Sequence, residues 1–226
     1  MFTRLSLISW KASAGAGERT AMRDRLASLS PRSGSLLVDN LPTNRNGGDM
    51  LWRTNFSSKS SHDAYLARQE QAGPDAPIAG RSPVRHVDRI VYESIHREDA
   101  IPHRPGGLYR VLVLSVEPGT PSQTIRAFEK EMMEMPNYVR SILRWNFARV
   151  VVSAGARPFT HVWEQEFASL GDFRGEYMNH PYHWGHLDRW FDGDNPARII
   201  DLYFCNSFCS IDQPALFETA PMVEVS

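Results

Sequence analysis

Hydrophobic and polar residues alternate along this 226-residue chain in a way that predicts two successive sets of strands and helices. In the first set, apolar or alternating runs predict strands at residues 2–10, 35–39, 50–56 and 86–95. Helices are predicted at residues 18–28, where apolar residues recur at helical spacing, and at residues 60–69. The predicted order of this part of the chain is β-α-β-β-α-β.

The second set repeats this order. Strands are predicted at residues 108–116, 141–153, 159–167 and 198–208. The first helix is predicted to begin at a capping box, residues 120–123, with proline at the first helical position, and to end before Pro136. Further helical segments are predicted at residues 170–178 and up to Trp190, with an interruption at Pro181.

Two of these strands share residues as well as order, which indicates an internal repeat. Trp52 and Phe56 in the first set correspond to Trp163 and Phe167 in the second. A β-α-β-β-α-β unit forms a four-stranded antiparallel sheet with helices on one face, the ferredoxin-like arrangement. Because the other face must also be covered, a second unit in the same chain is its expected partner. We therefore predict an α+β fold of two ferredoxin-like repeats packed sheet to sheet as an α/β barrel.

The repeat defines the predicted domain organisation. Residues 1–95 are assigned to the first repeat and residues 108–210 to the second. Residues 96–107 are polar and contain two prolines and two glycines, so they are predicted to form the linker. Residues 211–226 are left as a C-terminal tail.

Composition excludes several classes of partner. The chain has 25 Lys plus Arg and 26 Asp plus Glu, so no overall charge favours nucleic acid or an anionic membrane. No run approaches the ~18 apolar residues of a membrane span, and the apolar run at the N-terminus is too short for a signal-peptide core. Cys205 and Cys209 share a predicted strand and are expected to be small buried residues without a disulfide. A cytoplasmic protein without nucleic-acid or membrane partners is expected.

The stretch of greatest chemical interest runs from Phe159 to Phe191. It contains four of the eight histidines, among tryptophans and tyrosines: His161, His180, His183 and His186. Histidine titrates near neutral pH and can donate or accept a proton, so this clustering predicts a functional pocket. The first repeat has Met50 in place of His161 and lacks the later histidine turn, so it is predicted to be a structural partner.

Three motifs of the second repeat are similar to those of a known family: Phe159-Thr160-His161, Glu166-Phe167 and Tyr177-x-x-His180-Pro181-x-His183. Over roughly residues 105–208, the chain resembles the stress-responsive dimeric α/β-barrel (Dabb) proteins. Members of that family pair two single-unit chains into a barrel, so this chain resembles both units fused. One member, the plant olivetolic acid cyclase, closes a linear polyketide by a cofactor-free aldol condensation.

The resemblance implies a small-molecule enzyme of the cyclase or lyase type, which uses histidine acid–base chemistry on an aromatic or polyketide-like substrate. It implies catalytic roles for His161, Tyr177 and His183. The residues predicted to bind the substrate are Arg110, Phe128, Trp163, His180 and Trp184. Arg110 and Phe128 depart from the cyclase, which has histidine and tyrosine there, so the same substrate is not implied. On its apolar strand Arg110 needs a carboxylate partner, either a protein side chain or an acidic substrate.

Two other functions stay open at this point. One axial histidine in the same pocket would suffice for a haem-binding oxygenase, lyase or dehydratase, since related barrels include haem enzymes. The other is a non-catalytic stress-responsive protein that binds a hydrophobic ligand. We expect no cofactor, with haem as the alternative, and no metal site, because Pro181 interrupts the run of His180, His183 and His186. The expected partners are a small-molecule substrate and a second copy of the chain, as a homodimer.

Overall fold

The computed structural model describes residues 1–31, 34–71, 82–99 and 107–216. The strands in these residues are β1 (Phe2–Trp10), β2 (Ser35–Asp39), β3 (Met50–Phe56), β4 (Val84–Asp99), β5 (Gly107–Leu114), β6 (Arg144–Ala154), β7 (His161–Phe167) and β8 (Cys205–Ile211). The longer helices are α1 (Ala16–Leu29), α2 (Lys59–Gln71) and α3 (Ser122–Glu134). Two short helices follow β7, namely α4 (Leu170–Asp172) and α5 (Asp188–Phe191). A π-helical turn, Phe173–Tyr177, continues α4, and another, His183–Leu187, leads into α5.

The strands form one antiparallel sheet in the order β2-β3-β1-β4-β6-β7-β5-β8. Each half of this order is ferredoxin-like, and β4 pairs with β6 where the two halves meet. At the far edges, the segment after β2 reaches β8. The backbone N–H groups of Leu41 and Arg45 donate there to the carbonyls of Phe208 and Asn206. The sheet is thereby nearly closed into a barrel, and the fold-class prediction is confirmed.

Alternation along the strands separates the barrel interior from the helix layers. Apolar side chains from both halves meet inside the barrel, among them Leu7, Ile90, Val111 and Val162. On the other face of the sheet, α1 covers β1 and β3, while α3 and the short helices cover β5, β6 and β7. The two halves of the sheet therefore share one core, and each half has its own helix layer outside it.

The barrel interior also contains a buried ion pair between the two halves. Arg53 of β3 donates through Nε to Glu164 of β7 at 2.5 Å, and both side chains are at most 1% exposed. The hydroxyl of Tyr109 and the amide of Asn146 donate to the same carboxylate. Glu164 therefore points away from the face that carries His161, as strand alternation predicts.

Several boundaries differ from the predicted ones. β4 continues to Asp99, so the start of the predicted linker is strand, while residues 100–106 and 217–226 lie outside the described residues. The predicted capping box does not form, because α3 has Pro121 as its N-cap and the Thr120 hydroxyl donates to the Glu117 carbonyl at 2.7 Å. β8 begins only at Cys205, since the chain before it makes an isolated bridge rather than a ladder.

The structure bears on two features that the sequence analysis considered, the two cysteines and membrane-spanning helices. Cys205 and Cys209 are free and buried inside the barrel, where burial raises the pKa of each thiol to about 12. They are packing residues rather than nucleophiles. In the described part of the chain, no helix combines the length and the apolar character that crossing a membrane requires.

Candidate active site

A cavity of about 440 Å³ lies between the outer face of β5 and β8 and the short helices that follow β7. This volume is within the range of small-molecule sites. Its apolar wall consists of Leu112, Met132, Leu170, Phe173, Met178, Leu187, Phe191, Phe204 and Phe208. The polar and charged lining residues are Thr43, Arg110, Arg174, Tyr177, His183, Asp188 and Asn206. An apolar cavity with a few convergent polar groups is typical of a ligand site.

Arg110 reaches this cavity from the middle of β5 and is only 5% exposed. Its Nε donates to Asn206 Oδ1 at 2.9 Å, and Nη1 donates to the Tyr177 hydroxyl at 2.8 Å and to Gln165 Oε1. The guanidinium carbon lies 5.1 Å from the ring centroids of Phe173 and Tyr177. Among the described residues none of its partners is a carboxylate, so neutral groups alone surround the positive charge.

The two π-helical turns bring aromatic rings and a histidine to the cavity. Phe173 and Tyr177 are the ends of the first turn, and His183 and Leu187 are the ends of the second. All four side chains line the cavity. Pro181 lies between the turns and has no N–H with which to continue a helix, which separates them. Turns of this kind are rare and occur often at functional sites.

His183 is held neutral at the cavity wall. Its side chain is 14% exposed, and its ring contacts Tyr177 with the two centroids 5.1 Å apart. Burial, followed by the positive charge of Arg110, lowers the pKa of His183 to about 4. Nδ1 lies 3.3 Å from Asp188 Oδ1 but makes no hydrogen bond to any described residue. At neutral pH this imidazole therefore has a lone pair that can accept a proton.

His161 lies in a different environment, under α3. Its Nε2 is 3.1 Å from Glu129 Oε1 and its Nδ1 is 2.8 Å from the Thr160 hydroxyl. Its ring stacks on Phe147 and meets the edge of Phe128. Both ring nitrogens are engaged, and His161 is not among the residues that line the cavity. The structure thus does not bring His161 and His183 together on one cavity wall.

Of the five predicted substrate-binding residues, Arg110 lines the cavity and the other four do not. Phe128 of α3 and Trp163 of β7 are fully buried in the core between that helix and the sheet. His180 accepts the Tyr182 backbone N–H through Nδ1, which shapes the turn at Pro181. Trp184 is 65% exposed and donates to the Met178 carbonyl. These roles are local packing and capping, which strand and helix patterns alone do not distinguish from ligand contact.

Three polar residues that contact Arg110 or line the cavity were not predicted. Gln165 lies on the same face of β7 as His161, so strand alternation could have indicated it. Asn206 comes from β8, whose predicted boundaries were too early in the chain. Thr43 comes from the loop between β2 and β3, in the half predicted to be only a structural partner. The described residues contain no group of three or more His, Cys, Asp and Glu side chains that could hold a metal ion.

Sequence comparison bears on the half of the chain that contributes most of this cavity. Residues 108–193 match the Dabb family, the stress responsive A/B barrel domain. This Dabb region includes Arg110, Tyr177 and His183, and it ends before Asn206 of β8. No curated protein sequence matches the chain.

Solved structures share the fold along nearly the whole chain. An anthrone oxidase-like protein has a TM-score of 0.65 at 10% identity, over 93% of this chain and 90% of that chain. A candidate monooxygenase from Fusobacterium nucleatum subsp. nucleatum has a TM-score of 0.54 at 9% identity, over 93% and 91%. A chlorite dismutase variant from Candidatus Nitrospira defluvii has a TM-score of 0.51 at 9% identity, over 92% and 90%. At these identities the similarity shows the fold, so chemistry has to be argued from the cavity of the Dabb region.

Proposed function

We propose that this protein is a small-molecule enzyme in which His183 accepts a proton from the substrate and Tyr177 stabilises the resulting oxyanion. The observation that carries the proposal is the meeting of a neutral, buried imidazole and a phenol in one apolar cavity. Arg110 can only donate hydrogen bonds, so the Tyr177 oxygen accepts from it and keeps its own proton for a ligand. The donation from a cation also strengthens the Tyr177 hydroxyl as a donor.

The reaction that suits these groups is removal of a proton from a carbon next to a carbonyl. His183 takes the proton through Nε2, and the C–H electron pair moves towards the carbonyl to form an enolate. The enolate oxygen accepts a hydrogen bond from the Tyr177 hydroxyl, while Asp188 faces Nδ1 of His183. An enolate is the nucleophile of an aldol cyclisation and the product of the reverse cleavage. Cyclase or lyase chemistry on an aromatic or polyketide-like substrate is therefore our specific proposal.

Proton exchange provides a test that requires no knowledge of the natural substrate. The purified protein is incubated in D2O at pH 7.5 with 2-, 3- and 4-acetylbenzoate, and loss of the methyl proton signal is followed by NMR. We expect exchange with at least one isomer, a loss of about 100-fold or more in His183→Gln and a similar loss in Tyr177→Phe. His186→Gln is the matched control, since that exposed ring stacks on Tyr182 outside the cavity.

Folded wild-type protein that exchanges none of the three isomers would contradict the proposal, as would full exchange by His183→Gln. The catalytic role of His161 stays a prediction, because its contacts to Glu129 and Thr160 explain it without catalysis. His161→Gln in the same assay tests that role. Exchange at the wild-type rate would assign His161 to packing alone.

Two alternatives make different predictions for the same cavity. If haem binds there, His183 is the lining histidine that would ligate it, since its neutral, buried imidazole is of the required kind. Bound haem would supply redox chemistry, and an intense absorption band lost in His183→Gln would reveal it. A non-catalytic binding protein would instead bind aromatic ligands tightly, and His183→Gln would change neither that binding nor any exchange rate.

A further inference from the structure

We infer that Arg110 anchors a carboxylate of the ligand, so that this cavity selects aromatic carboxylic acids. The inference rests on the proposed function, because it assigns a substrate class to the same cavity. It follows from the hydrogen-bond inventory of the guanidinium, from the orientation of its neighbours and from the charge of the lining.

The first observation is that part of the guanidinium is unused. A guanidinium has five N–H donors and no acceptor. Nε donates to Asn206, and the two N–H groups of Nη1 donate to Gln165 and Tyr177. Nη2 makes no hydrogen bond to any residue in the described part of the chain. The two N–H groups of Nη2, on a charged side chain that is 5% exposed, therefore have no acceptor in the described part of the chain.

The second observation is that the neighbours of Arg110 turn their acceptors towards it and away from the ligand. Because Arg110 only donates, the atoms of Asn206 and Gln165 in contact with it must be oxygens. Asn206 lines the cavity, and its amide N–H groups are then further donors, as is the hydroxyl of Tyr177. Gln165 Nε2 is buried and also lacks a partner. Several donors around a cation, whose neighbours turn their own acceptors towards the guanidinium, fit an anion.

The third observation is the charge and shape of the lining. Arg174 and Asp188 carry opposite charges and His183 is neutral, which leaves the single positive charge of Arg110. Asp188 is 42% exposed, so water screens its repulsion of an anion. The remaining wall is apolar and includes four phenylalanines, of which Phe173 and Phe208 pack against the guanidinium. One negative group on an aromatic ring system is the ligand that this combination fits.

Such a ligand would also act on the proposed base. Arg110 is the positive group that contributes, after burial, to the low pKa of His183. A carboxylate on Arg110 neutralises that charge, so the pKa of His183 rises when the ligand is bound. The other titratable groups beside His183 are Tyr177, whose ring contacts it, and Asp188, near its Nδ1. The substrate would then make its own catalytic base stronger.

Binding of two matched probes, 2-naphthoate and 2-naphthamide, tests the inference in the full chain by titration calorimetry at pH 7.5. They share one ring system and differ in charge. We expect wild type to bind naphthoate at least about tenfold more tightly than naphthamide. Arg110→Gln should lose about 10- to 100-fold for naphthoate and leave naphthamide within about threefold.

Two further variants keep the test decisive. Asn206→Asp gives Arg110 a carboxylate of its own at nearly constant volume, so it should fold and yet lose naphthoate binding to a similar extent. Arg174→Gln removes the same charge from the exposed rim and should lose less than about threefold. Equal affinities of wild type for the two probes, no naphthoate binding, or equal losses in Arg174→Gln and Arg110→Gln would overturn the inference.

The outcome is separable from that of the proposed function. Naphthoate binding requires no turnover, so it can be measured in wild type and in Arg110→Gln whether or not proton exchange occurs. If wild type binds naphthoate through Arg110 but exchanges no acetylbenzoate, the anion site stands and the proposed reaction fails. If exchange depends on His183 while Arg110→Gln still binds naphthoate normally, the reaction stands and the carboxylate anchor fails.

Discussion

At the scale of single residues, side chains of the same type take different roles according to their neighbours. His161 and His183 both lie in the histidine-rich stretch, and both are largely buried. Glu129 and Thr160 occupy both nitrogens of His161, whereas His183 faces a cavity next to Arg110 without a described hydrogen-bond partner on its ring. Occupied nitrogens indicate a structural role, and an unoccupied nitrogen at a cavity indicates a chemical one.

The stability of the protein should depend on the protonation of His183. Its pKa is about 4 in the fold against an ordinary 6.5, so the unfolded chain binds the proton more readily between these values. The free energy of unfolding therefore falls as the pH decreases through this window, by about 2–3 kcal/mol at pH 4.5. Urea unfolding at pH 7 and pH 4.5 should show that His183→Gln lacks this contribution. His186→Gln should keep the wild-type difference; an unchanged difference in His183→Gln would refute the argument.

At the scale of elements, α3 is held to the sheet by polar contacts as well as apolar ones. Glu129 on its inner face accepts two hydrogen bonds at 2.7 Å from Arg149 of β6 and contacts His161 of β7. Burial alone would raise the pKa of Glu129, but the hydrogen bonds from His161 and Arg149 outweigh it and lower this pKa to about 2. The carboxylate therefore links one helix to two strands.

Glu129→Gln should loosen α3. At neutral pH the variant loses the charge that Arg149 and His161 face, and we expect the free energy of unfolding to fall by about 1–3 kcal/mol. Because the pKa of Glu129 is lowered, this contribution is present above its ordinary pKa and is lost as the pH falls towards 2. Glu134→Gln, on the exposed side of the same helix, is the control and should change stability by less than about 0.5 kcal/mol. Equal effects of the two variants would contradict this role.

At the scale of the whole molecule, two ferredoxin-like halves close one barrel. The β4–β6 pairing joins them on one side and the segment after β2 meets β8 on the other. Inside, the Arg53–Glu164 pair spans from the first half to the second. The barrel is thus nearly closed within one chain, and the predicted homodimer stays a prediction. The first half also adds Thr43 to the cavity wall, so its contribution extends beyond the scaffold.

Breaking the Arg53–Glu164 pair should destabilise the whole barrel. Arg53→Met or Glu164→Leu leaves the opposite charge buried without its partner, and we expect a loss of about 3–5 kcal/mol in guanidinium chloride unfolding. The double variant removes both charges and should recover part of that loss, although Tyr109 and Asn146 then lose their acceptor. Lys59→Gln breaks an exposed pair and should change stability by less than about 0.5 kcal/mol. Single variants as mild as this control would show that the pair does not hold the halves together.

Local pattern was sufficient for much of the fold. β1, β2 and β3 have the bounds predicted from apolar runs, because strand periodicity and turn residues are properties of neighbouring positions. The doubled order of elements was sufficient for the barrel, since each sheet face must be covered. The late start of β8 escaped prediction because contacts with distant strands override local signals. The capping box failed for a local reason, since the Thr120 hydroxyl donates to the Glu117 carbonyl instead.

The sequence by itself determined the two-repeat α+β barrel, the Dabb resemblance of the second half and the candidacy of Arg110, Tyr177 and His183. Only the tertiary structure decided which of His161 and His183 faces a cavity, since both histidines lie among aromatic residues along the chain. Only the structure showed that Arg110 has no carboxylate among its described partners, while Asn206 and Gln165 turn their oxygens towards it. The physical reason is that alternation along a strand determines which face of the sheet a side chain points to. The residues that it contacts there belong to other strands, which the folding of the barrel brings close.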